Sequence, residues 1–194
     1  TLRLGWITAL LFLICIVLLQ PMPEEAASAQ EPVQPLQRSN QSEPLLLSAS
    51  TIDWYTFLGS GADDYGRDIA VDSSGNIYIS GTSYSSWGSP ILPFTTSADG
   101  YDGFVAKLDS AGNLVWNTFL KESLAVLAED IAVDSSGFVY VAYFPAGDGL
   151  VGVAKLDPDG SPIWEARIGG GGYDDIRAIA VDSGGNTYVT GMSK

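Results

Sequence analysis

Two acid–base pairs recur at matching places in this chain. Asp64 with Arg67, and Asp174 with Arg177, each lie 10 and 13 positions after a tryptophan, Trp54 or Trp164, with Asp63 and Asp175 beside them. Carboxylates and guanidiniums on one rim suit a polar ligand or a cation. They equally suit a local Asp–Arg contact that fixes a loop, worth at most ~1 kcal/mol where exposed. The intervening repeat has Val126 and Glu129 at these places, which favours the local contact. The second candidate is the stretch from Thr82 to Gly100, where Tyr84, Trp87 and Phe94 stand among Ser, Gly and Pro. Rings on such a loop either stack on a sugar or a partner, or fold back over a sheet edge.

Other chemistry has weaker support. Asp157-Pro158-Asp159-Gly160 begins like a calcium loop, but the later oxygen ligands are missing, so a plain turn is expected. Lys107 and Lys155 recur at one place and are expected to pair with neighbouring acids. Asp99 and Asp102 come nearest to the two acids of a polysaccharide hydrolase or lyase, yet they flank a turn. No catalytic residue, metal site or cofactor is expected.

Composition points the same way. The 194 residues include 23 acidic and 9 basic side chains, for a formal charge of −14, which repels nucleic acid. There is no histidine, hence no Ser-His-Asp triad and no imidazole zinc ligand. One cysteine makes no internal disulfide.

The elements that must position these residues follow from repetition. Ile69-Ala70-Val71-Asp72, Ile131-Ala132-Val133-Asp134 and Ile179-Ala180-Val181-Asp182 recur, each Asp 18 positions after a tryptophan (Trp54, Trp116, Trp164). Val105-Ala106-Lys107-Leu108-Asp109 recurs as Val153-Ala154-Lys155-Leu156-Asp157. The repeats are 62 and 48 residues long, and the whole difference lies in the loop that carries Tyr84, Trp87 and Phe94. Asp72 with Gly75, Asp134 with Gly137, and Asp182 with Gly185 are the first and fourth residues of type I turns whose glycine is left-handed. Each unit reads as four antiparallel strands, the size of a propeller blade. The fold class is therefore all-β, a β-propeller with repeats at 54–115, 116–163 and 164–194. The segment Trp54–Leu58 is a fourth strand without a unit before it, and the last repeat holds two strands, so the chain reads as an incomplete part of a larger ring. Remaining blades are expected from outside it.

The string Gly61-Ala62-Asp63-Asp64-Tyr65-Gly66, continued by Ile-Ala-Val-Asp-Ser-Ser-Gly-Asn-Ile-Tyr-Ile-Ser-Gly, resembles the SBBP β-propeller repeat of exported bacterial proteins. Gly-Phe-Val-Ala-Lys-Leu-Asp and Trp-x-Thr-Phe-Leu belong to the same pattern. The resemblance extends from Trp54 to the C-terminus. It implies a propeller in a secreted or surface protein and transfers no catalytic or ligand residue.

The N-terminus suggests an address. Arg3, the apolar run Leu4–Leu19 and Ala27-Ser28-Ala29 read as a signal peptide over 1–29, followed by a polar, proline-bearing linker over 30–50. A secreted or cell-surface module is expected, meeting an extracellular glycan or protein, with no membrane role for the mature domain. The alternative function is carboxylate-dependent cleavage of polysaccharide.

Overall fold

A computed structural model describes residues 14–19, 52–95, 100–120, 125–147, 149–170 and 172–194. Among them there are twelve strands and no helix. Two strands, β1 (Ile14–Leu19) and β2 (Ile52–Leu58), form an antiparallel pair. The first four-stranded sheet holds β3 (Asp64–Val71), β4 (Ile77–Ser83), β5 (Asp102–Leu108) and β6 (Leu114–Phe119) in chain order. The second holds β7 (Val126–Val133), β8 (Val139–Pro145), β9 (Val151–Leu156) and β10 (Pro162–Ile168). A third sheet consists of β11 (Asp175–Val181) and β12 (Thr187–Met192). Sequential antiparallel strands joined by tight turns are what the repeats demand.

One turn is built five times. At Asp72 the N–H of Gly75 donates to the Asp72 carbonyl, while Oδ1 accepts from the N–H groups of Ser74 and Asn76. Oδ2 accepts from Asn76 Nδ2 and the Tyr78 hydroxyl. Asp109, Asp134, Asp157 and Asp182 organise the same backbone loop. The glycines at 75, 112, 137, 160 and 185 all take φ between 78° and 87°, where a side chain is strained. Asp157-Pro158-Asp159-Gly160 is thus a turn of the common type.

Neighbouring sheets meet through recurring residues. The Trp116 indole N–H donates to the Pro158 carbonyl at 3.1 Å, and its ring lies against Gly160, the turn of the next sheet. Trp54 meets Gly112 in the same way. Among the described residues no such turn lies against Trp164, which is 39% exposed. Among the described residues Lys107 and Lys155 make no ion pair with the acids expected. Lys107 Nζ lies 5.2 Å from the Tyr78 ring centre, and Lys155 Nζ lies 4.8 Å from that of Tyr140.

The innermost strands β3, β7 and β11 each carry a bulge at the same place, leaving Arg67, Glu129 and Arg177 unpaired in the ladder. The next residue in the first two is an aspartate that reaches across to the following sheet. Asp68 accepts from the Ile131 N–H at 3.1 Å, and Asp130 accepts from the Ile179 N–H at 2.5 Å. Each bond satisfies a backbone donor on the free side of an innermost strand.

β1 falls within the apolar N-terminal run. It pairs with β2 as β5 pairs with β6: Leu19 lies opposite Ile52 and Cys15 opposite Phe57, like Leu108 opposite Leu114 and Phe104 opposite Phe119. The expected cut after Ala29 and the linker at 30–50 lie outside the described residues.

Candidate functional site

Three of the residues singled out above, Asp63, Asp64 and Tyr84, meet at one end of the first sheet, where β3 begins and β4 ends. Strand β3 starts at Asp64, so Asp64 and Arg67 belong to the strand rather than to an entry loop; the bulge lets pairing with β4 continue past Arg67. The Asp64 side chain is buried. Its carboxylate accepts from the Ser60 N–H at 2.6 Å, from the Ser60 hydroxyl and from the Ser83 hydroxyl. It therefore ties the chain entering β3 to the end of β4. Asp174 repeats the arrangement, accepting from the Gly170 N–H at 3.0 Å and from Ser193, whose bond first and Gly170's second hold its carboxyl below the ordinary range. Val126, buried, fills the corresponding place in the second sheet.

The expected Asp–Arg pairs do not form on these carboxylates. Arg177, 69% exposed, pairs with Asp175 instead. Arg67 is exposed at its bulge. Asp64 and Asp174 are structural anchors because serine hydroxyls and backbone N–H groups already occupy their oxygens.

The long loop also departs from a wholly displayed aromatic set. Trp87 is buried, with its ring 5.2 Å from Phe104 and 6.4 Å from Phe119. Phe94 is half-buried against Phe119 at 5.3 Å. Both rings fold back over the sheet, where the Phe-rich ends of β5 and β6 offer more apolar contact than solvent does. Tyr84 alone of the three stays on the surface, 42% exposed. Its N–H donates to the Asp63 carbonyl, which fixes the loop to the entry of β3.

Tyr84 is flanked by two tyrosines that sequence reasoning missed. Tyr65, 41% exposed, lies 6.2 Å from it edge-on, and Tyr101 lies 5.4 Å away and tilted. Tyr65 follows the recurring Asp64, and Tyr101 precedes β5 at the far side of the loop. Only the closure of β4 against β3 and β5 brings the three together. A second aromatic contact, Phe144 with Tyr173 at 5.5 Å, spans the second and third sheets. Clustered ring faces with phenol hydroxyls at their margins suit a ligand with both apolar C–H faces and hydroxyls.

Asp99 lies outside the described residues. Asp102 is fully buried, and its Oδ2 accepts from the Thr95 N–H at 2.6 Å and the Thr95 hydroxyl at 2.8 Å. Burial pushes its carboxyl up, and the two Thr95 bonds oppose that shift. Among the described residues no cluster of His, Cys, Asp or Glu is arranged to hold a metal ion.

No curated protein matches the chain. The family model described as an SBBP beta-propeller repeat matches residues 53–86 and 163–194. Those two segments each span a tryptophan-bearing strand, the Asp anchor, the bulge and the Asp-x-x-Gly turn, and over them the chain is similar to the SBBP beta-propeller repeat.

Proposed function

We propose that this chain is part of an exported, non-enzymatic β-propeller that binds extracellular carbohydrate through the tyrosines at the end of its first sheet. The observation that carries the reading is the Tyr65–Tyr84–Tyr101 cluster, exposed at its centre, beside a loop whose other rings fold back over the sheet. The four-stranded sheets follow one another with recurring tryptophan and aspartate contacts, which supports a ring completed by further blades. Export rests on the apolar run Leu4–Leu19 and on Ala27-Ser28-Ala29. A scaffold role fits the nature of what recurs, since the repeated residues make turns and inter-sheet contacts.

A glycan array probed with the full chain, with reducing-sugar release followed in parallel, tests the proposal. Binding without release is expected, and Tyr84→Ala should weaken it by about tenfold or more, since stacking of an exposed ring carries the contact. Sugar release abolished by an Asp→Asn substitution would favour the hydrolase or lyase reading instead. Undiminished binding by Tyr84→Ala would place the ligand elsewhere.

A further inference from the structure

The innermost strands β3, β7 and β11 run side by side in one direction, since Asp68 reaches Ile131 and Asp130 reaches Ile179 at the same step of the repeat. Their starting ends therefore share one rim. The Tyr65–Tyr84–Tyr101 cluster stands on that rim at the first sheet, and the Phe144–Tyr173 contact stands on it where the second sheet meets the third. Tyr173 directly precedes the Asp174 anchor, and Phe144 lies near the end of β8. Both rings are in reach of solvent: Tyr173 is 52% exposed and Phe144 is half-buried.

The repeat pattern does not account for these rings. At the place of Tyr173 the earlier repeats have Asp63 and Ala125, and at the place of Phe144 the first repeat has Thr82. Asp63 is itself exposed although it enters a complete four-stranded sheet, so this place faces solvent without reference to any further strand. Tyr65 and Tyr84 are likewise peculiar to the first repeat, their counterparts in the second being Leu127 and Ala146. Two different sets of positions thus bring ring faces to separate points along one rim. Packed sheets lie about 10 Å apart, so one to two such steps, about 10–20 Å, separate the two patches, which is the reach of a few linked sugars.

We propose that Phe144 and Tyr173 form a second subsite for the carbohydrate held at the tyrosine cluster, so that the ligand is an extended, uncharged polysaccharide of β-linked sugars lying along the rim. The subsite rests on the carbohydrate reading given above. In β-1,4-linked glucose the hydroxyls are equatorial and C–H groups cover both ring faces. Phe144 offers only an apolar face and takes such a C–H surface, while Tyr173 adds a phenol hydroxyl at its margin. Charge selects against acidic sugars: Arg177 beside Tyr173 already pairs with Asp175, and the net charge of −14 repels uronic acids and sulfates. One chain held at two places makes the second contact intramolecular, which raises its affinity above that of either patch alone.

Calorimetric titration of the full chain with cellobiose and with cellohexaose tests this. Cellohexaose is expected to bind at least about tenfold more tightly. Tyr173→Ala should abolish that difference while cellobiose still binds, and Tyr173→Phe, which keeps the ring, should preserve it. Equal affinities for the two sugars, or a difference that survives Tyr173→Ala, would overturn the second subsite and leave the tyrosine cluster standing as the binding site. Cellobiose binding undiminished by Tyr84→Ala would instead remove the reading on which the subsite rests. Binding of neither sugar would overturn the ligand proposed.

Discussion

The outer strands of the two complete sheets have opposite fates. In the first sheet Trp116–Phe119 of β6 are buried, because the long loop folds over them. The Ile91 N–H donates to the Asn117 carbonyl at 2.9 Å, and the Phe119 N–H donates to the Leu92 carbonyl at 3.2 Å, so the loop acts as a short fifth strand. Trp87 and Phe94 seal it from the side. In the second sheet, which lacks the insertion, every residue of β10 is exposed, including Ile163, Trp164 and Ile168. The comparison teaches that the variable loop protects an edge and displays one ring, whereas the shorter repeat leaves its edge to whatever packs on it.

The most forceful way to break that contrast is Trp87→Ala. It removes a buried ring from the loop and should cost about 3 kcal/mol in urea unfolding, whereas Trp164→Ala on the bare edge should cost under ~1 kcal/mol. Equal losses would mean that the loop does not protect β6. A smaller effect should be the same in both sheets. Gly75→Val and Gly137→Val each force a side chain into a left-handed turn and should each cost about 1–2 kcal/mol, so unequal losses would show that the shared turn is not equally supported.

The smallest effect concerns the contact between the sheets. Burial first, and then the hydrogen bond with Asp68, push the Asp130 carboxyl up to about 6, while the Ile179 N–H opposes the shift. Because its folded value lies above the unfolded carboxylate value of about 3.9, stability should rise as pH falls through about 6. The turn carboxylates work in the opposite sense. Asn113 and Asn186 hold Asp109 and Asp182 below the ordinary range, so their contribution fades as pH falls further. Thermal midpoints should therefore peak between roughly pH 4 and 6. Asp130→Asn should flatten the rise from neutral pH while keeping an acceptor for Ile179. An unchanged rise would assign the titration to another group.

The parts of the fold that were legible in the sequence are local ones. An Asp, two intervening residues and a glycine define their own turn, so strand order followed directly, as did the two-strand third sheet, whereas the pairing of β2 with β1 did not. The bulges were not legible, since Arg67, Glu129 and Arg177 share no chemistry and only the ladder identifies their position. For the same reason Asp64 looked available to a ligand until Ser60 and Ser83, four residues before and nineteen after it, were brought to it. The loop aromatics were legible as alternatives only: an apolar ring among Ser and Gly has the same composition whether it covers an edge or faces a ligand. Tyr65 and Tyr101 became partners of Tyr84 through strand pairing, which leaves no mark at short range.

The aspartates that cross between sheets have a consequence for cooperativity. Asp68 makes the first innermost strand a condition for satisfying Ile131, and Asp130 does the same for Ile179. Order is thereby handed along the chain in one direction, each repeat serving as a template for the next. At the third repeat the same position is Ala178, whose methyl group accepts nothing. A sheet packed against β11 would go without that bond, so this is the joint at which coupled repeats would separate most readily.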